Sequence, residues 1–326
     1  MENLTIIKTN KNKISKDLIK TELTPFFKLL DYRGETPRTY INGINSFIIW
    51  LENNNKDYVD IETLTEYRSY LKKTLKPRTV NSYLSALRCL FRYLNDNGIP
   101  NLMKNIKNVK IDEGFAKLPL TLEKYIEIEE TLKAERHDEA SYRDYALWVL
   151  AVNCMLRECE MTRADKCDII QRGTQYILKV QGKGYDSKES KAVLEEDTLL
   201  AILEYLKVRG TDNYEALFTS VATNHKGNRL TTRSVSRIFK KILVRFGLDS
   251  ELYTGHSTRH TGATFLNKSG VKIEKIKEGL RHKSLDTTLI YIHDEDRLIN
   301  PVERNMQEYI REGRKIYGKK QDNFCC

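Results

Sequence analysis

Apolar residues recur at helical spacing through most of the chain, and the two clearest runs open on the tripeptide Pro-Arg-Thr. After Pro37, residues Tyr40, Ile44, Phe47, Ile48 and Leu51 fall on one face of a helix. After Pro77, Val80, Leu84, Leu87, Leu90, Phe91 and Leu94 do the same. Proline suits a first helical position because an N–H there would have no intrahelical partner. Thr36 is available to cap the first helix, and Gly98 stops the second. The stretch Ile61 to Leu75 reads as another helix, so residues 21–105 are expected to form a small all-helical domain. Residues 1–20 read as a basic N-terminal tail and residues 106–118, with Gly114, as a linker.

The pattern changes after Pro119. Thr121 caps a helix running toward Glu135, and a second extends from Ser141 to Asn153. Tyr176, Leu178 and Val180 then alternate with Ile177 and Lys179, which predicts a strand. Gly182-Lys183-Gly184 is a turn signal leading to a partner strand that ends near Leu194. Helical patterns return over Thr198–Arg209, Thr232–Phe246, His260–Ser269 and Val271–Leu280. Residues 119–300 are thus expected to form a mostly helical domain with a small inserted β-sheet. Asn300-Pro301 interrupts the chain before 301–326, where Val302 to Tyr317 can form a final amphipathic helix. The fold class is mainly α.

A length of 326 residues fits two unequal domains, and 40% apolar with 31% charged residues is the mix of a soluble globular protein. No apolar run reaches the length of a transmembrane helix, and the lysine-rich start lacks the apolar stretch of a signal peptide. A cytoplasmic protein is expected, with no membrane partner. Cys89, Cys154, Cys159, Cys167, Cys325 and Cys326 form no C-x-x-C pair, so neither a zinc knuckle nor a disulfide framework is indicated. Lys and Arg outnumber Asp and Glu by 55 to 45, a net charge of +10 that admits nucleic acid as a partner. Arg38 and Arg78 stand at helix starts, where unpaired N–H groups add partial positive charge. They are candidate DNA-backbone contacts, or else solvated arginines on an exposed turn.

The candidate chemistry lies in five short pieces: Leu156-Arg157-Glu-Cys-Glu160, Gly182-Lys183-Gly184, Thr254-Gly-His256-Ser-Thr-Arg259-His260, Leu280-Arg-His282-Lys-Ser, and Thr287-Thr-Leu-Ile-Tyr291-Ile-His293. Each is ordinary alone. In this order and spacing they resemble the tyrosine recombinases, the phage-integrase family. The helical first domain looks like that family's SAM-like core-binding domain, so the resemblance covers nearly the whole chain.

The resemblance implies a site-specific DNA recombinase that acts through a 3′-phosphotyrosine and a Holliday junction, in integration or excision of a mobile element or in dimer resolution. Its source would be bacterial, phage or mobile-element DNA. A phosphodiester repels nucleophiles, and its charge grows as a fifth oxygen arrives. Guanidinium groups answer this with a permanently charged planar fork, the role implied for Arg157 and Arg259, with Glu160 orienting Arg157. A free phenol ionises near about pH 10, so Tyr291 as nucleophile needs a positive field and a proton acceptor. His256 is the implied base, His282 a hydrogen-bond donor to phosphate, and Lys183 the general acid for the leaving 5′ oxygen, with Lys188 and Lys191 as rivals.

No metal or cofactor is implied. The implied partners are double-stranded DNA carrying recombination sites, other copies in a homotetramer held through the C-terminal tail, and accessory DNA-bending or directionality proteins. His260 and His293 read as structural or DNA-contacting. A type IB topoisomerase and a DNA-binding protein without catalysis are the alternatives. The chain departs from the family pattern at Met155 and Arg281, where glycine is common, and at Thr258, where leucine is usual. The hairpin after Lys183 is also longer than usual.

Overall fold

The computed structural model describes residues 13–31, 37–111, 117–182, 185–282, 306–307 and 310–311. The chain divides into two compact units, Met1–Gly114 and Phe115–Cys326.

The first unit begins with β1 (Ile14–Ser15) and α1 (Lys16–Asp31), followed by α2 (Pro37–Asn53), β2 (Tyr58–Val59), α3 (Ile61–Thr74) and α4 (Pro77–Asp96). β1 pairs antiparallel with β2. Both Pro-Arg-Thr segments start helices as expected, and the apolar faces of α2 and α4 form the core with Leu64, Tyr67 and Leu71 of α3. The buried Tyr67 donates its hydroxyl proton to Ser46 Oγ at 3.0 Å, so its polar end is satisfied.

The start of this unit differs from the sequence expectation. Residues 14–20, read as part of a basic tail, build β1 and the first turns of α1, with Ile14 and Ile19 fully buried. The surrounding lysines are paired within the unit, Lys16 with Asp57 at 3.1 Å and Lys20 with Glu52, which hides the apolar spacing among charges. Residues 106–109, read as linker, dock on the helices. Arg68 Nε donates to Lys107 O, Arg88 Nη2 to Ile106 O, and Asn81 exchanges two hydrogen bonds with the backbone of Val109.

The second unit comprises α5 (Leu122–Ala134), α6 (Glu139–Asn153), α7 (Glu158–Arg163), β3 (Ile169–Arg172), β4 (Gln175–Val180), β5 (Ser190–Leu194), α8 (Glu196–Arg209), α9 (Thr232–Arg245), α10 (Gly255–Lys268) and α11 (Ile273–Leu280). α6 is buried on every side from Tyr145 to Val152 and forms the axis of the core. The sheet has order β3-β4-β5, all antiparallel, with Leu178 opposite Ile169 and Ala192. The sequence does not signal β3, because Ile169-Ile170-Gln171-Arg172 places its apolar residues side by side instead of alternating them. α10 starts at Gly255 rather than His260. Thr254 and Ser257 close a reciprocal capping box, while the polar run Gly255 to His260 has no apolar period to reveal a helix. Among the described residues no helix is long and apolar enough to cross a membrane.

Candidate active site

The site is assembled where three helix ends meet. α6 ends at Cys154, and Met155 follows in the left-handed region at φ 49°. This reversal carries the chain to Arg157, the N-cap of α7, and Glu160 stands in that helix's first turn. Glu160 Oε2 accepts the Arg157 backbone N–H at 2.9 Å, and Oε1 accepts Arg157 Nη1 at 2.8 Å. The carboxylate thereby caps the helix start and holds the arginine side chain at once.

α10 brings in Arg259, His256 and His260. It packs backbone to backbone on the end of α6 at Gly262, where an added Cβ would lie 2.2 Å from Val152 O. That approach buries Arg259 to 1% exposure, and its guanidinium donates to Met155 O and Leu280 O. Arg259 Nη1 lies 3.8 Å from Glu160 Oε2. α11 ends in a second left-handed residue, Arg281 at φ 55°. The His282 N–H then bonds back to Lys277 O at 3.2 Å, which places His282 just past the helix end.

One buried carboxylate therefore faces three guanidiniums, since Arg281 Nη2 also reaches Glu160 Oε2 at 3.1 Å. Burial alone would raise the Glu160 carboxyl. Arg281 first, then the Arg157 N–H, Arg259 and Arg157, outweigh it and hold the carboxyl below its ordinary value. The cluster keeps an excess of positive charge, suited to an anion.

The histidines beside it are neutral. Burial, followed by the field of Arg259 and Arg157, lowers His282 to about 4. Burial, then His256 and Arg259, lowers His260 to about 3. His256 is lowered to about 4 by desolvation, then by Arg259, Arg157 and Lys117. His256 is itself exposed, so water screens part of that field.

A pH dependence follows from the two buried rings. A free imidazole binds a proton near about pH 6.5, whereas His260 and His282 in the folded chain bind one only near 3 and 4. Between these values the unfolded chain holds more protons, so acid favours it. The stability contributed by the neutral rings is complete above the free value and is lost as pH falls toward the folded ones. The melting temperature is expected to fall from pH 6.5 to 5, and His260→Gln to flatten that slope. A wild-type melting temperature that is level over this interval refutes the assignment.

The structure thus brings together Arg157, Glu160, His256, Arg259 and His282 of the expected set. Lys183 and Tyr291 lie outside the described residues. Arg163, the last residue of α7, donates to Gly182 O at 3.1 Å and so ties the hairpin beside Lys183 to the helix that starts at Arg157. Of the rival lysines, Lys188 is held between Asp165, at 2.5 Å, and Asp168. Burial favours its neutral form, but the two carboxylates outweigh burial and raise its pKa, which opposes proton donation. Lys191 is exposed on β5, opposite Lys179. Arg38 and Arg78 are exposed near the starts of α2 and α4. Thr258 is fully buried, its hydroxyl donating to Gly255 O at 2.7 Å, so the polar replacement is satisfied locally.

Sequence reasoning missed the contribution of Arg281, whose position it read only as a departure from glycine. Its charge was the available signal, but apart from Gly279 O the acceptors it meets are more than a hundred residues away in sequence.

Residues 122–297 match the phage integrase family and residues 21–101 the N-terminal SAM-like domain of phage integrases. The chain is 31% identical over 257 residues to the tyrosine recombinase XerC of Caldanaerobacter subterraneus subsp. tengcongensis, covering 76% of this chain and 69% of that one. It is 27% identical over 303 residues to XerC of Chlamydia trachomatis, covering 83% and 93%. Its fold is similar to that of the XerH site-specific recombinase bound to palindromic difH, with TM-score 0.67, 23% identity and coverage of 80% of this chain and 77% of that one. It also resembles the Tn1549 transposon integrase in complex with transposon right-end DNA, with TM-score 0.67, 15% identity and coverage of 90% and 99%. The chain belongs to the phage integrase family and is an enzyme of its tyrosine recombinase class, a tyrosine-type site-specific DNA recombinase.

Proposed function

We propose that the chain cuts and rejoins double-stranded DNA at a pair of specific sites, with Arg157, Arg259 and His282 binding the scissile phosphate and Tyr291 attacking it. The observation that supports this most is the Glu160-centred arginine cluster with neutral imidazoles at its edge. A pentavalent phosphorane gains negative charge on its non-bridging oxygens, and preorganised guanidiniums stabilise that charge without reorganising.

In this reading the Tyr291 oxygen forms a bond to phosphorus as the bond from phosphorus to the 5′ oxygen breaks. The phenolic proton passes to His256, whose lowered pKa keeps the ring unprotonated but also weakens it as a base, so the transfer draws on the negative charge of the bound phosphate, which raises that pKa. Lys183 gives a proton to the departing 5′ oxygen. The product is a 3′-phosphotyrosine, so the bond energy is retained and a second 5′-hydroxyl reseals the strand by the reverse steps. Two such exchanges pass through a Holliday junction in a tetramer on two sites, with residues 301–326 joining protomers. One solved relative is a lambda integrase tetramer bound to a Holliday junction. Arg38 and Arg78 contact the DNA backbone from the first unit, where helix starts favour phosphate.

A supercoiled plasmid carrying two copies of the native site tests the reading. Recombinant circles support it, relaxation without exchange indicates a topoisomerase, and occupancy without nicking indicates a binding protein. The genes and inverted repeats flanking the coding sequence distinguish movement of a mobile element from dimer resolution. Lys183→Ala is expected to slow cleavage by roughly 10²- to 10⁴-fold, the usual contribution of a general acid. A substrate with sulfur in place of the 5′ bridging oxygen, whose leaving group needs no proton, should restore it. A variant equally slow on both substrates rules out the acid role.

A further inference from the structure

We propose that Arg281 is a positioning residue, which sets the two phosphate-binding arginines by cross-linking the ends of α6, α7 and α11; this rests on the recombinase reading of the site. Its side chain is 9% exposed, and its guanidinium points inward onto acceptors from all three segments. Nη1 donates to Gly279 O at 2.7 Å, at the end of its own helix. Nη1 and Nη2 approach Cys154 O at 3.3 and 3.2 Å, and Nη2 also donates to Met155 O at 2.8 Å. The same nitrogen meets Glu160 Oε2 at 3.1 Å.

Two features make these contacts more than packing. Met155 and Arg281 are both non-glycine residues in the left-handed region, a conformation that L side chains resist. The Arg281 side chain hydrogen-bonds the backbone of the other strained residue, so each reversal helps to hold the other. Met155 leads directly to Arg157, and the Met155 carbonyl is also the anchor of Arg259. Arg281 thus reaches both arginines through one turn of backbone.

Charge supplies the second link. Arg281 takes up Glu160 Oε2 at 3.1 Å, while Arg259 stays at 3.8 Å from that oxygen, beyond hydrogen-bond reach. A carboxylate engaged by Arg281 competes less for Arg259, which keeps the Arg259 guanidinium on Met155 O and Leu280 O and so fixes its place in the cluster. Lysine cannot reproduce this arrangement, because a point charge on a flexible stem lacks the planar fork that spans four acceptors.

The test uses the full-length chain and a nicked duplex bearing its native site, which traps the covalent adduct. Arg281→Gly relieves the left-handed strain and removes the cross-link. It is expected to bind the duplex as the wild type does and to cleave it about 10²-fold more slowly. Arg281→Lys is expected to be slowed as well, despite its charge. On a duplex with a neutral methylphosphonate at the scissile position, the clamp has less charge to stabilise, so the deficit of both variants should shrink to less than about tenfold. Should Arg281→Gly fail to fold, Arg281→Lys carries the same comparison. Wild-type cleavage by either variant overturns the assignment, and so does a deficit of equal size on both substrates, which would mark a merely structural role. Absence of any adduct with the wild-type chain overturns the recombinase reading, and this assignment with it.

Discussion

Tyr291→Phe is expected to abolish the covalent protein–DNA adduct while leaving DNA binding intact. The substitution removes one oxygen and preserves the ring, so the loss isolates nucleophilicity from packing. Water attacking the same phosphorus would leave a nicked strand with no protein attached, and serine or threonine hydroxyls would need the same placement. In the proposed mechanism the positive field of Arg157 and Arg259 favours the ionised phenol, and His256 carries no proton at neutral pH. Denaturing electrophoresis of labelled DNA after incubation with each protein reads the result. An adduct that persists in the variant removes Tyr291 from the mechanism.

Gly262→Ala is expected to have the largest effect on the folded catalytic unit. The new methyl group would sit 2.2 Å from the carbonyl oxygen of Val152 and 2.7 Å from Met155 Cγ, and the first of these contacts is with backbone. α6 is encased by the core, so α10 must move away from it or tilt. Overpacking of this severity costs on the order of 3 kcal/mol or more, which lowers the melting temperature of a unit this size by roughly 6–12 °C. Displacing α10 also draws Arg259 away from Met155 O, so cleavage should fall even at temperatures where the variant is folded. Calorimetry and the adduct assay measure the two effects separately. An unchanged melting temperature would mean that the close approach of α6 and α10 is not as described.

The helix starts at Pro37 and Pro77 and the apolar faces that follow were legible because they depend on neighbours three and four residues away. The members of the candidate site were legible for another reason. Arginine, lysine, histidine, arginine, histidine and tyrosine in that order carry a chemistry that few arrangements share. Other elements were hidden where local signals conflict. Ile14 and Ile19 lie among lysines that the unit pairs internally, and Pro25 stands inside α1, so a buried strand and helix looked like a polar tail. The docking of residues 106–109 depends on Arg68, Asn81 and Arg88, whose long-range hydrogen bonds leave no periodic trace.

The departures at Met155 and Arg281 show the same division. From the sequence they are two missing glycines. In the fold they are two left-handed residues that touch, and the arginine that replaces one glycine holds the carbonyl of the residue that replaces the other. By itself the sequence determined the helices with a continuous apolar face, such as α2 and α4, and the residue types available for chemistry, because periodicity and side-chain identity are properties of short segments. Only the tertiary structure decided that Glu160 gathers three guanidiniums, that Lys188 is held by Asp165 and Asp168, and that His260 and His282 are buried without charge. Those outcomes depend on distance and desolvation between segments far apart in the chain, and both arise only when the helices have packed.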